Sequence, residues 1–71
     1  MKNSETFYFT FGSGQVNENC YCIINAVNWD EARKRMFDMY GNKWAFQYTE
    51  KNWFDENGIS QAEKYGLKLI A

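Results

Sequence analysis

Strict alternation of apolar side chains over residues 5–11, one well-punctuated helical pattern over about residues 29–40, and an aromatic-rich run over residues 43–50 predict an α+β fold. The expected architecture is a small antiparallel β-sheet of about four strands in the order β-β-α-β-β. Short helical turns precede the last strand, and one main helix packs on one face. At 71 residues the chain is a single small domain, residues 1–71, near the size at which burying enough apolar surface becomes difficult. Six Phe, five Tyr and three Trp compensate, since each can bury on the order of 150–250 Å².

In the first element, ETFYFTF, Phe7, Phe9 and Phe11 fall on one face of a strand and Tyr8 and Thr10 on the other, so the phenylalanines are assigned to a core. GSGQVNEN is a polar connection, and CYCIINAV a second strand whose near-continuous apolar character suits a central position. The two form a hairpin with a long, glycine-bearing loop. The main helix follows in NWDEARKRMFDMYGN: Asn28 is the cap, Glu31 stands three residues on as in a capping box, and Gly41 marks the exit. Trp29, Ala32, Met36, Phe37 and Tyr40 make its apolar stripe, and Asp30, Lys34 and Asp38 a solvated ladder opposite.

KWAFQYTE is a third strand with Trp44, Phe46 and Tyr48 on one face and Ala45 and Gln47 on the other. EKNWFDENG is a short helix or turn. SQAEKYG is a helical turn capped by Ser60, with Glu63 in the reciprocal position and Gly66 as stop, and LKLI closes the chain as a strand. Phe7, Phe9, Phe11, Ile24, Ala32, Met36 and Phe37 are the expected buried set.

Charge and residue types narrow the function. Eight basic against nine acidic residues give a net charge of −1, so no global basic field draws in a nucleic acid. The N-terminus lacks a basic region followed by an apolar run, and no stretch is apolar enough to span a bilayer, so a soluble protein of the cytoplasm is expected. Cys20 and Cys22, two apart on one strand, point to the same face, which suits buried thiols better than a mutual disulfide. With no histidine and only two cysteines, neither a closed metal site nor a recognised catalytic set assembles, and no cofactor is implied. A non-enzymatic binding protein is the expectation.

Three features could bind a ligand. The loop Gly12, Ser13, Gly14, Gln15 is either a plain hairpin turn or a cradle offering backbone N–H groups beside side-chain donors and acceptors. Arg33 borders the helix stripe and needs a carboxylate, an aromatic face or a bound anion, with an internal partner favoured. In NKWAFQYTEKNW, Lys43, Gln47 and Lys51 are interleaved with Trp44, Phe46, Tyr48 and Trp53, a composition that suits stacking on a planar base near a phosphate, or equally a core with a polar rim. So many aromatics in so short a chain also predict self-association into a homodimer.

FTFGSGQ, EARKRMFDMYGNKWAFQYTE and the ending KYGLKLI together resemble a group of short proteins encoded in phages and prophages of Firmicutes. The recurring elements of that group are F-T-F-G-x-G-Q, A-R-x-x-M-F and G-x-K-W-A-F-Q-Y. The positions matched are Phe9, Gly12, Gly14, Gln15, Arg33, Met36, Phe37, Lys43, Trp44, Phe46, Gln47 and Tyr48, within about residues 6 to 70. The resemblance implies a viral accessory protein in the host cytoplasm that inhibits a host defence system. It would do so by sequestering a nucleotide-derived signal or by occupying a host defence protein. In the first form the Gly12–Gln15 loop supplies donors, Arg33 or Lys43 meets phosphate, and Trp44 or Tyr48 stacks on a base.

Overall fold

The computed structural model of the protein describes residues 4–70. Seven elements follow one another: β1 (Glu5–Thr10), β2 (Cys20–Ala26), α1 (Trp29–Tyr40), β3 (Phe46–Thr49), α2 (Glu50–Trp53), α3 (Gln61–Tyr65) and β4 (Lys68–Leu69). They form an α+β domain with one main helix and a four-stranded sheet of order β3-β1-β2-β4. β1 is antiparallel to both its neighbours, with Phe9 opposite Cys22 on one side and Gln47 on the other. The sheet is mixed, however, because β4 runs parallel to β2 through Cys20–Lys68 and Tyr21–Leu69. Topology dictates this: β2 and β3 both oppose β1 and so run the same way, and the chain leaving β3 must cross the whole sheet before it reaches the far edge.

Those two crossovers cover opposite faces. α1 links β2 to β3 over the face bearing Phe7, Phe9, Phe11, Cys22 and Ile24, and closes it with Ala32 and Met36. Asn28 starts the helix by accepting the Glu31 N–H at 2.8 Å. The Glu31 carboxylate reaches back to the Val27 N–H at 2.9 Å, one residue beyond the usual reciprocal bond. Gly41, at φ 63°, ends it by donating its N–H to the Phe37 carbonyl.

The other face of the sheet, which bears Tyr8 and Thr10, is covered as well. Tyr8 and Thr10 are both only 8% exposed. α2 delivers Trp53 beneath Tyr8, Tyr21 and Tyr48, with ring centroids at 4.6, 5.1 and 5.2 Å, so a second, wholly aromatic core forms there. Ser60 is the expected cap, accepting from the Glu63 N–H, and Thr49 caps α2 in the same way by accepting from the Asn52 N–H.

Six of the seven residues assigned to the core are buried, and Phe37 is not: it is 45% exposed. The cause lies in β3, which begins at Phe46 rather than Lys43. Ala45 donates its N–H at 2.8 Å to the carbonyl of Thr10, the residue that Phe46 pairs, so two residues face one and the strand carries a β-bulge. The bulge shifts the pleat by one position. Trp44 therefore lands on the helix side, 9% exposed against Phe9, instead of sharing a face with Phe46 and Tyr48. It occupies the space assigned to Phe37, whose ring is displaced to the rim of the indole at 5.4 Å.

Candidate functional site

A groove of about 260 Å³ opens on the α2–α3 face, where the end of β1 and its loop (Thr10, Phe11, Gly12, Ser13) meet Ala45, Phe46 and Tyr48 on one side and Gln61, Tyr65 and Leu67 on the other. Its builders are local. The bulge turns Ala45 and Phe46 to the same side, and the loop passes close to them at Gly12, where a Cβ would meet that of Ala45 in ordinary contact at 3.5 Å. α3 then lifts Tyr65 over the opposite wall. Phe46 and Tyr65 are 64% and 70% exposed, an unusual degree for aromatic side chains facing a shared depression. No charged residue lines it.

Of the residues expected to bind a ligand, Gly12, Ser13 and Tyr48 line this groove. Gln15 does not offer its side chain outward: its Oε1 accepts the Gly12 N–H at 2.6 Å while its own N–H bonds the Gly12 carbonyl at 3.1 Å. The amide closes the turn on itself, and Gly14 sits at its tip with φ 83°. Arg33, Trp44 and Gln47 lie on the other face of the sheet. The Arg33 guanidinium rests over Phe37 and Trp44, 5.6 and 5.1 Å from the ring centroids, so an aromatic face is the partner it meets. The Trp44 indole N–H donates to the Gly41 carbonyl, and the Gln47 Nε2 to the Trp29 carbonyl at 3.0 Å. Lys43 belongs to a third place, an open cleft with Val16, Asn17, Met39, Tyr40 and Gly41. Arg33 is thus on the far side of the sheet from the groove and Lys43 in a separate cleft, and the expected set does not converge on one ligand.

Sequence reasoning named Phe46 among the aromatics of the candidate stacking run but missed Gln61, Tyr65 and Leu67 as wall residues. A pattern was present: with Ser60 as cap, Gln61 and Tyr65 stand four apart on one side of the helical turn.

The electrostatics around the groove are quiet. Burial raises the Tyr8 phenol above its usual value, with Glu50 and Tyr21 adding to the effect. Behind Tyr65, Asp55 accepts the N–H groups of Ile59 and Asn57 and pairs with Lys64 of α3 at 3.1 Å. The bond from Ile59 foremost, with Lys64 assisting, holds its carboxyl below the usual carboxylate range. Among the described residues no cluster of three or more Cys, Asp or Glu side chains could hold a metal ion, and no helix is long and apolar enough to cross a membrane.

No family model, curated protein or solved structure matches the chain.

Proposed function

We propose that the protein is a non-catalytic binding module that seizes a partner protein by taking one of its apolar or aromatic side chains between Phe46 and Tyr65. In the setting that the phage resemblance implies, that partner is a host defence protein. The observation that carries this reading is the pairing of two largely exposed aromatic walls with an uncharged floor. Aromatic rings at the rim of a small apolar depression are the usual anchors of protein interfaces. Size points the same way: about 260 Å³ falls below the roughly 300–1,000 Å³ common for small-molecule pockets. A nucleotide would also bring phosphates to a groove lined by no cation. The signal-sequestering form therefore takes second place to direct occupation of a protein.

Photo-crosslinking tests it. With p-benzoylphenylalanine in place of Tyr65, a discrete host protein should be captured from infected-host extract, and Phe46→Ser should abolish the capture. Both positions are exposed, so the melting temperature should move little. A cyclic nucleotide or ADP-ribose derivative that raises the melting temperature of the wild type but not of Tyr65→Ser would overturn the reading.

A further inference from the structure

We propose that the outer edge of β3 is a self-association edge, through which two copies of the chain pair antiparallel about Gln47 and merge their sheets into one continuous sheet. This stands on backbone geometry and is independent of what the groove binds.

The hydrogen-bonding direction of each strand can be followed across the sheet. Lys68 and Ile70 donate to the carbonyls of Asn19 and Tyr21, so the odd-numbered residues of β2 face β4 and the even-numbered ones face β1. Carried through the register, Phe7 and Phe9 bond toward β2, while Tyr8 and Thr10 bond toward Tyr48 and Phe46. Gln47 is left with its N–H and C=O both directed away from β1. β3 is the terminal strand on that side, and among the described residues nothing pairs with it there.

The sheet's two edges are treated differently. Beyond β4, the far edge of β2 is closed by side chains: Arg35 donates to the Asn25 carbonyl at 2.7 Å, Glu31 accepts the Val27 N–H, and the two charges face each other at 3.7 Å. Charged groups on an edge are the common guard against unwanted pairing. β3 carries Phe46, Gln47, Tyr48 and Thr49, with no charge and no proline.

A second copy suits this edge better than an arbitrary strand because Ala45-Phe46-Gln47-Tyr48-Thr49 is close to palindromic: small, aromatic, amide, aromatic, small. A two-fold axis at Gln47 exchanges two N–H to C=O bonds between the Gln47 residues. It also sets each Phe46 directly opposite Tyr48 of the second copy, a cross-strand aromatic pair formed twice. Phe46, 64% exposed in one copy, gains a neighbour without leaving the groove wall. Because the chain turns into α2 at Glu50, the shared edge is short and the association weak, well under the roughly 1,600 Å² of a standard interface.

The amide of Gln47 reports the pairing directly. In hydrogen exchange followed by NMR, it should exchange quickly in dilute protein and become protected as concentration rises. Sedimentation equilibrium should show a monomer–dimer equilibrium over the same range. A chain assembled by ligation at Cys20 or Cys22 with an N-methyl group on Gln47, and separately Phe46→Glu, should each weaken the dimer by roughly tenfold or more. Tyr65→Ser, which alters the groove alone, should leave it intact. A wild type that stays monomeric at high micromolar concentration overturns the proposal. So does a dimer that forms with the Gln47 amide still exchanging freely.

Discussion

The indole of Trp53 lies flat against the phenol of Tyr8, with centroids 4.6 Å apart and planes within 3° of parallel. Phe54 meets the same phenol edge-on, and Tyr21 and Tyr48 approach the indole from either side. This four-residue helix therefore holds the second face of the sheet, and one side chain supplies most of its apolar area.

Trp53 is 1% exposed, so Trp53→Ala should cost about 3–5 kcal/mol in chemical denaturation, the usual loss for truncating a buried aromatic. In a domain of this size that is enough to unfold most molecules at room temperature. Trp53→Phe, which keeps a ring over Tyr8, should be markedly milder. An unchanged midpoint for Trp53→Ala would show that the second core is dispensable.

The Gln15 amide closes the Gly12–Gln15 turn from inside, so Gln15→Ala should lower stability by about 0.5–1.5 kcal/mol and leave capture of a partner at the groove unaffected. Gly14→Ala should cost about 1–2 kcal/mol through its left-handed backbone alone, because a Cβ there touches nothing within 4 Å. Loss of capture at unchanged melting temperature in Gln15→Ala would instead make the loop a ligand contact.

Asp55 gives the stability a pH dependence whose sign is fixed. Its folded pKa lies below the unfolded one, so its contribution is full above the ordinary carboxylate range. It is lost as pH falls through that range toward the depressed value. Asp55→Asn should therefore lower the melting temperature at neutral pH and flatten its acid limb. If the mutant and wild-type curves stay parallel down to low pH, the carboxylate is not the titrating group.

The two thiols should differ in reactivity although they share a strand and a face. Cys22 is 0% exposed, its Sγ lies 3.3 Å from the Met36 Sδ, and burial pushes its pKa up to about 11. Cys20 is only half-buried. Mass spectrometry after brief treatment with iodoacetamide should show one carbamidomethyl group on native protein, at Cys20, and two in denaturant. Equal native labelling at both sites would mean that the α1–β2 core opens readily.

The hairpin, the main helix with its caps and the buried phenylalanines of β1 were all legible in the sequence, because each rests on a local rule: period two, period 3.6, a capping asparagine, a terminating glycine. What escaped was set by contacts distant in sequence. The bulge at Ala45 and Phe46 exists only against Thr10, and nothing in KWAFQYTE marks where the pleat slips; without it Trp44 and Phe37 exchange roles. The same slip separates Trp44 from Tyr48, which divides the expected ligand site between two faces. The cover over Tyr8 was not foreseen, because Trp53 arrives from a segment too short to show a period.

The order of the strands also bears on how the chain is made. β1 is synthesised before both its neighbours and ends in the middle of the sheet, yet only β2 follows it closely; β3 comes after the whole of α1. Until residue 49 is synthesised, the Tyr8 and Thr10 backbone groups that later bind β3 have no strand to meet. A nascent chain stalled within α1 thus exposes a bare, phenylalanine-rich central strand, and ribosome-bound chaperones or neighbouring nascent chains would engage it there. The edge of β1 that β3 will cover is thus the last part of the central strand to be closed as the chain is made.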